Sequence, residues 1–242
     1  MSAAIEIMNL RKDFGAKTAV NNLNLTVPEG ELFAFLGVNG AGKTTTIRML
    51  TGLTLPSSGD ARVLGHSILT ELDEVKKLGN LSPQETSVAP NLTVRENLEF
   101  IAGIYGFSKE QSRRKTAEII EEFGFAEIEN SRARTLSGGW QRKLSIAMAL
   151  ITDPRILYLD EPTLGLDVLA RRELWKLIRS LKGKDTVILT THYMEEAEAL
   201  SDHIAVMVKG NLMACGTMEE LRARTGKEKL EDIFVSIVEE TE

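Results

Sequence analysis

The sequence predicts an α/β fold that combines a mostly parallel sheet, an N-terminal antiparallel β layer and an inserted helical subdomain. Three observations support this prediction. Continuous apolar runs are separated by helical patterns, short alternating runs precede them, and a long central segment changes to helical periodicity. Parallel strands joined by crossover helices give the first pattern, because such strands are covered on both faces of the sheet.

The β layer is predicted from alternation near the start of the chain. Ile5 and Ile7, and then Leu23, Leu25 and Val27, alternate with polar residues, as half-buried strands do. The central strands are predicted instead from unbroken apolar runs, which are expected where both faces of a sheet are covered. These runs lie at residues 32–36, 156–159, 187–189 and 204–208.

A helical subdomain is predicted over about residues 85–150, where apolar residues recur at helical spacing. Thr93 followed by Glu96 matches a capping box that begins its first helix, and Gly106 is placed to end that helix. The apolar residues of this first helix are Val94, Leu98, Ile101, Ala102 and Tyr105. Apolar residues within 174–181 indicate a later helix that packs on the sheet.

We therefore expect a single domain over residues 1–242. Its core and β layer take in about residues 1–84 and 151–225, and the helical subdomain is inserted between these two segments. No linker rich in glycine, serine or proline divides the chain, which favours an insertion over a tethered second domain. Residues 226–242 form a C-terminal extension with helical spacing and an acidic end.

Composition and charge argue against several classes of protein. The net charge of -6 and the sequence pI of about 5.3 disfavour nucleic acid as a partner. The single cysteine, Cys215, excludes an intrachain disulfide and a cysteine-based zinc cluster. We expect it to be a buried apolar residue in a reducing compartment. The N-terminus lacks the features of a signal peptide, and no apolar run approaches the ~20 residues that span a bilayer.

A phosphate-binding loop follows the apolar run at 32–36 and precedes a helical stretch. It matches the pattern G-x-x-x-x-G-K-[S/T], whose glycines let backbone N–H groups surround a phosphate at the N-terminus of a helix. We expect Lys43 to reach the β- and γ-phosphates and the Thr44 hydroxyl to bind Mg²⁺. A glycine-rich turn with a solvated lysine is the alternative, which the flanking strand and helix disfavour. The predicted nucleotide-binding residues here are Gly37, Val38, Asn39, Gly40, Ala41, Gly42, Lys43, Thr44 and Thr45. The predicted fold therefore has a P-loop NTPase core.

Two carboxylates follow the apolar run at 156–159. Asp160 and Glu161 stand at the C-terminal end of a predicted strand, where α/β sheets bind ligands. Because adjacent strand residues point to opposite sides, we assign Asp160 to Mg²⁺ and Glu161 to the attacking water. A solvated acidic pair at a strand end is the alternative interpretation, and the neighbouring P-loop favours the catalytic one.

Further motifs occur in order along the chain. They are Phe14 before the P-loop, Gln84 in Ser-Pro-Gln, the run Leu136-Ser137-Gly138-Gly139-Trp140-Gln141, the run Leu164-Gly165-Leu166-Asp167, and His192 after a buried run. They resemble the A-loop, Q-loop, signature motif, D-loop and switch histidine of ATP-binding cassette (ABC) proteins. The match extends over about residues 5–217. The chain is identified as a member of that family, most similar to the ATPases of multidrug and sodium exporters of the ABC-2 type.

The resemblance implies a role for each motif. Phe14 is expected to stack on adenine, with a simple core aromatic as the alternative. Gln84 is expected to sense Mg²⁺ and the γ-phosphate and to link the helical subdomain to the core. His192 is expected to contact the γ-phosphate and help to place the attacking water. Asp167 is expected among the nucleotide-binding residues.

The signature motif also predicts a second subunit. Ser137, Gly138 and Gly139 open a predicted helix whose unpaired N–H groups and dipole form an anion site, and one chain does not need two such sites for one triphosphate. The resemblance implies a head-to-tail dimer, expected to be a homodimer, in which this loop of each chain closes over the Mg-ATP of the other. Val38, Leu164 and Val168 depart from the usual family pattern. None of them is a reacting group, and they bear on the geometry of the dimer interface and on the turnover rate.

The resemblance implies an ATPase subunit that drives a separate transmembrane permease. The runs at 52–60 and 191–198 are similar to those of exporter ATPases, so we expect an exporter. The nearest alternative is an import ATPase, followed by a non-transport ABC ATPase that acts on a ribosome or DNA. The expected location is cytoplasmic, at the inner face of the membrane, with the chain held there by the permease.

Overall fold

The computed structural model describes residues 2–239. This part of the chain contains ten β-strands, nine α-helices and a 3₁₀ turn at Ala133–Thr135. The strands are β1 (Ala3–Phe14), β2 (Lys17–Pro28), β3 (Leu32–Leu36), β4 (Ser58–Val63), β5 (His66–Ser67), β6 (Gly79–Ser82), β7 (Ile156–Asp160), β8 (Thr186–Thr191), β9 (His203–Val208) and β10 (Asn211–Gly216). The helices are α1 (Lys43–Leu50), α2 (Leu72–Leu78), α3 (Val94–Ile104), α4 (Lys109–Glu122), α5 (Gly138–Leu150), α6 (Val168–Ser180), α7 (Met194–Leu200), α8 (Met218–Thr225) and α9 (Leu230–Glu239).

The strands form two sheets. Six of them make a mixed sheet in the order β10-β9-β3-β8-β7-β6, in which every neighbouring pair is parallel except β10 with β9. The other four make an antiparallel sheet in the order β2-β1-β4-β5. The predicted α/β fold, with its mostly parallel sheet and N-terminal antiparallel layer, is therefore confirmed.

The larger sheet separates two apolar clusters. Every residue of β3, β7 and β8 is buried, which explains why these strands appear in the sequence as unbroken apolar runs. Phe33 and Phe35 of β3 face α1 and the antiparallel sheet. Leu32, Ala34 and Leu36 face the opposite way, toward a cluster that includes residues of α3 to α9. The carboxyl ends of these strands are thus held rigidly at one edge of the sheet.

The first helix of the predicted helical segment begins and ends as expected. The Thr93 side chain accepts a hydrogen bond from Glu96 N at 3.1 Å, and the Glu96 carboxylate accepts one from Thr93 N at 2.8 Å. Gly106, at φ +84°, follows the last residues of α3. Helix α3 packs against α4, and α5 packs against β6. The capping box and the glycine terminator are therefore confirmed.

The C-terminal helix belongs to the main core. Helix α9 contacts α7, α8 and β10 and buries the apolar residues predicted at helical spacing. Residues 240–242 of the predicted C-terminal extension lie outside the described residues. Cys215 of β10 is exposed, so the expectation that it is buried was wrong. Its neighbours Ala214 and Gly216 are buried, and adjacent strand residues point to opposite faces of a sheet.

No helix within residues 2–239 combines the length and the apolar character that crossing a membrane requires.

Candidate functional site

A cleft of about 470 Å³ lies at the carboxyl end of the parallel strands. Parallel strands present their ends at this edge, and it is the usual ligand site of α/β sheets. The residues that line the cleft are Phe14, Lys17, Ala19, Asn39, Gly40, Ala41, Gly42, Lys43, Thr44, Thr45, Gln84, Glu161, Leu164 and His192. Most residues predicted for the phosphate site, the catalytic pair and the adenine contact therefore lie together.

The loop between β3 and α1 has the shape of an anion cradle. Gly42 has φ +102° and no side chain caps the N-terminus of α1, which leaves the first N–H groups of this helix directed into the cleft. A Cβ at Gly42 would lie 2.4 Å from Ala19 O, and one at Gly37 would lie 2.3 Å from Met207 O. Both positions therefore require glycine, and the loop backbone stays close to the space where phosphates would lie.

Lys43 lies at the bottom of the cleft and is only 4% exposed. Its Nζ donates hydrogen bonds to Gly37 O at 2.7 Å and Val38 O at 3.3 Å, and lies 3.6 Å from Glu161 Oε1. Burial lowers the pKa of Lys43, while the negative charge of Glu161 opposes that change. The ammonium group is thus held by loop carbonyls and a carboxylate at the position from which it can reach a phosphate.

Asp160 and Thr44 meet as the sequence predicts. Asp160 Oδ1 accepts a hydrogen bond from Thr44 Oγ1 at 2.9 Å and another from Thr190 Oγ1 at 2.5 Å. A hydroxyl and a carboxylate are oxygen ligands of the kind that Mg²⁺ takes, few in number and completed by water and phosphate. The donor set therefore fits a magnesium ion, and the exposed Gln84 lines the same cleft.

Glu161 adopts a backbone conformation that is uncommon for a residue with a side chain. Its φ is +46°, and its N–H donates to both Thr190 O at 3.1 Å and Thr190 Oγ1 at 3.0 Å, which holds the turn in place. Strained backbone of this kind is found where a side chain must be aimed. The turn directs the Glu161 carboxylate into the cleft, whereas the Asp160 carboxylate bonds Thr44.

His192 follows β8 and lines the same cleft. Its Nδ1 lies 3.0 Å from Glu161 Oε2, but the angles do not form a hydrogen bond, so this buried nitrogen has no hydrogen-bond partner in the part of the chain described. The imidazole packs against Tyr193, with ring centroids 4.1 Å apart. Glu161 therefore lies between the Lys43 ammonium and the His192 ring.

Phe14 lies at the end of β1, on the rim of the cleft. Its side chain is 54% exposed, so it is not a core aromatic, and this alternative interpretation is wrong. Lys12 Nζ lies 5.1 Å from the ring centroid. One face of an exposed ring at the mouth of the cleft remains available to a planar ligand.

The signature residues and Asp167 do not line this cleft. Ser137 caps the N-terminus of α5, and Ser137 and Gly139 border a separate cavity of about 150 Å³ together with Ala170 of α6. Gly138, at the first position of α5, lies with them. Asp167 caps α6, where its Oδ1 accepts hydrogen bonds from Leu169 N and Ala170 N at 2.9 Å each. In one chain these residues form a second, exposed surface.

Sequence reasoning missed two buried residues that hold the site together. Thr190 bonds both Asp160 and the backbone of Glu161. Arg142, on α5 and 4% exposed, donates to backbone carbonyl oxygens of Pro83, Gln84, Asp160 and Pro162. Burial lowers its pKa to about 10. The Thr-Thr-His run at a strand end was a usable signal for Thr190, but the partners of Arg142 come from two distant segments, 83–84 and 160–162.

Comparisons with known proteins agree with this geometry. A family profile described as "ABC transporter" matches residues 20–164. The daunorubicin/doxorubicin resistance ATP-binding protein DrrA of Streptomyces peucetius is 42% identical over 228 residues, which cover 94% of this chain and 69% of that protein. The phospholipid-transporting ATPase ABCA3 of Homo sapiens is 43% identical, over 93% of this chain but only 13% of its own length. This chain therefore corresponds to a small part of that relative.

Solved structures are similar as well. An ATP-binding subunit of an ABC transporter has a TM-score of 0.85 and 28% identity, and the match covers 97% of this chain and 99% of that one. A dimeric ATP-binding cassette in a post-hydrolysis state, bound to ADP and Pi, has a TM-score of 0.78 and 25% identity, with coverage of 88% and 98%.

Proposed function

The chain belongs to the ABC transporter family and is an ATP-binding ATPase of that family. From this premise we propose that it powers an exporter. In this proposal it pairs with a second ATPase subunit and acts on a separate permease. One observation carries the proposal. P-loop residues, Glu161 and His192 line one cleft, and Asp160 bonds Thr44 of that cleft. The signature residues lie on a second surface of the same chain. Each surface supplies only half of a site that encloses ATP.

In this proposal the cleft binds ATP through its backbone and Lys43. The N–H groups of the loop and of the first turn of α1 hold the phosphates. Lys43 exchanges the carbonyls of Gly37 and Val38 for phosphate oxygens, which carry full negative charge. Phe14, exposed at the rim, stacks on the adenine.

Thr44 and Asp160 would hold Mg²⁺, with Gln84 as the additional residue at this edge of the cleft. Magnesium neutralises phosphate charge when it is bound. The contacts in the protein explain how its ligands are kept in position, because Thr190 donates to Asp160 and Arg142 fixes the backbone carbonyl of the same residue.

Glu161 is placed to act on the attacking water. As the water oxygen bonds to the γ-phosphorus, its proton passes to the Glu161 carboxylate, and the bond to the bridging oxygen breaks so that ADP leaves with the electron pair. Lys43 and His192 border this carboxylate on two sides, which fixes its direction. His192, whose Nδ1 has no other partner among the described residues, orients the water or a γ-phosphate oxygen.

The second ATPase subunit completes the site. Ser137 begins α5, and its N-terminal N–H groups face out of the chain as a second anion site. In a head-to-tail pair, this surface of one chain covers the phosphates held by the other. The dimeric state of a structural relative bound to ADP and Pi supports this arrangement. ATP then favours the closed pair, and hydrolysis favours opening.

A permease is the proposed site of action. Several apolar side chains are exposed in α3 and in the loops that follow α1 and α3, and two of them, Leu53 and Tyr105, line one cavity. Tyr105 also borders a second cavity together with Pro83, next to Gln84. These exposed residues are Leu53, Leu55, Phe100, Ile104 and Tyr105. Apolar patches rimmed by polar residues mark protein contacts. The similarity to DrrA, named for drug resistance, supports an exporter, and the permease would hold the chain at the cytoplasmic face of the membrane.

The test compares the parent chain with Glu161→Gln, which keeps the shape of the side chain but not its basicity. We expect the parent to hydrolyse Mg-ATP, and the variant to lose about 10²- to 10⁴-fold in turnover while binding ATP and eluting as a nucleotide-dependent dimer. Steady-state phosphate release and size-exclusion chromatography with Mg-ATP measure both properties. A variant that hydrolyses ATP at the parental rate contradicts the role of Glu161.

A further inference from the structure

A buried carboxyl lies behind the switch histidine, and the proposed mechanism does not use it. Glu196 of α7 is 0% exposed. Its Oε1 accepts a hydrogen bond from Trp175 Nε1 of α6 at 3.1 Å. Its Oε2 and the buried Thr163 Oγ1 have no partner with hydrogen-bond geometry among residues 2–239. Burying a carboxyl with so few hydrogen bonds destabilises the fold, so a role in placing its neighbours is indicated.

The surroundings of Glu196 favour its neutral form. Burial raises the pKa of Glu196, and this effect exceeds the opposing influence of the neighbouring Thr191, Thr163 and Trp175 side chains and the charge of Arg171. A neutral carboxyl accepts a hydrogen bond from an indole without the cost of a buried charge. Through its hydrogen bond from Trp175, Glu196 forms a buried polar contact between α7 and α6.

The contacts of Glu196 lead to the catalytic histidine. Arg171 of α6 lies 5.9 Å from the Trp175 ring centroid and 5.6 Å from the Tyr193 ring centroid. Tyr193 packs on His192 at 4.1 Å, and Tyr193 O accepts a hydrogen bond from Glu196 N at 3.2 Å. Glu196, Trp175, Arg171 and Tyr193 form a closed ring of contacts between α6, the loop of residues 192–193 (the switch loop) and the start of α7. His192 packs on Tyr193 of this ring. Asp167 of the D-loop caps the N-terminus of α6, so the ring also connects the switch loop to the D-loop.

We propose that Glu196 is a positioning residue that holds the switch loop against α6 through Trp175 and thereby sets where the His192 ring lies beside Glu161. This inference rests on the proposed function, because it assigns His192 a part in hydrolysis. Removing the carboxyl lets α6 and the loop separate. The His192 ring then leaves its place near Glu161 while the phosphate-binding loop, on the other side of the cleft, is unchanged.

Steady-state kinetics test this role. Glu196→Leu should lower kcat for ATP hydrolysis by up to about a hundredfold, the loss expected from a misplacement of about 1 Å, while KM for ATP changes less than about twofold. Glu196→Gln keeps an oxygen that accepts from Trp175 and should restore most of the lost kcat. Trp175→Phe removes the donor and should lower kcat by itself but add nothing in the Glu196→Leu background. Glu195→Leu, an exposed neighbour on α7, is the matched control.

Histidine resonances give a second measurement that needs no turnover. The chain has only three histidines, so ring-labelled protein gives three resolvable NMR signals. Glu196→Leu and Trp175→Phe should move the His192 signal and leave those of His66 and His203 in place. If the parent does not hydrolyse ATP, the proposed function fails, and the NMR measurement still tests this inference. A parental kcat with an unmoved His192 signal in Trp175→Phe or Glu196→Leu overturns it.

Discussion

The cleft and the signature surface differ in how completely one chain builds them. In the cleft, Lys43, Asp160 and Glu161 are all less than 9% exposed, and each is held by partners from other elements. At the signature surface, Ser137 and Gly138 are exposed. Leu169, in the first turn of α6, is 75% exposed.

The difference follows from where each set of residues sits in the fold. Cleft residues occupy the ends of buried parallel strands, which are fixed by the sheet before any ligand arrives. The signature residues and Asp167 lie at the exposed N-termini of α5 and α6, where the Ser137 and Asp167 side chains accept hydrogen bonds from the first turn of each helix. In the proposed function, the preformed half-site binds nucleotide by itself, and the exposed half-site acts when a second chain brings it to a phosphate.

The largest effect is expected from a substitution that disrupts the signature surface and leaves the cleft intact. Ser137→Arg places a bulky charged side chain at the N-terminus of α5, which would meet the nucleotide of the other chain. We expect ATP turnover to fall by about a hundredfold or more, as when a transition-state contact is lost, with ATP affinity unchanged within about twofold. Phosphate release and fluorescent-nucleotide titration measure the two properties. A parallel loss of affinity would mean that Ser137 acts on the cleft of its own chain.

A mixing experiment sharpens the same comparison. Lys43→Ala lacks a working cleft and keeps its signature surface, whereas Ser137→Arg has the reverse defect. In a head-to-tail pair of the two variants, one of the two composite sites is intact. Half of the random pairs are mixed, so the mixture should recover roughly a quarter of the parental turnover. If the mixture hydrolyses ATP only at the sum of the rates of the two separate variants, the sites are not independent composite sites built from both chains.

Local patterns were enough to predict most of the cleft. The P-loop, Asp160, Glu161 and His192 are each recognisable from a strand followed by a short motif. In each case the functional side chain lies within a few residues of the end of the strand. Thr190 could have been inferred from its run, but Arg142 could not, since its carbonyl partners are supplied by two segments that are distant in sequence. Cys215 was placed wrongly because its burial depends on which face of an edge strand is covered.

A smaller effect is expected at the rim of the cleft. Phe14→Ala removes a ring that is 54% exposed at the rim of the cleft, so we expect KM for ATP to rise up to about tenfold. A tenfold rise corresponds to a stacking contact of about 1.4 kcal/mol. The turnover at saturating ATP should stay within about twofold of the parent. Phe14→Tyr keeps the ring and is the matched control. If KM for GTP and ATP rises equally in Phe14→Ala, the ring does not select adenine, and if neither rises it does not stack.

The smallest effect concerns the contact between the cleft and the signature surface. Here Glu196 joins α7, which follows His192 of the cleft, to α6, which borders the signature residues. Burial raises the pKa of Glu196, so the unfolded chain loses this proton near pH 4.5 while the folded chain keeps it. The folded state therefore loses stability relative to the unfolded state as the pH rises above about 4.5, by at most about 1.4 kcal/mol per pH unit, until the folded pKa is reached. Gln does not titrate, so the Tm of Glu196→Gln minus that of the parent should increase between pH 5 and 7. Thermal unfolding of both proteins across this range measures the difference, and Tm curves that run parallel would mean that the carboxyl is ionised in the folded protein.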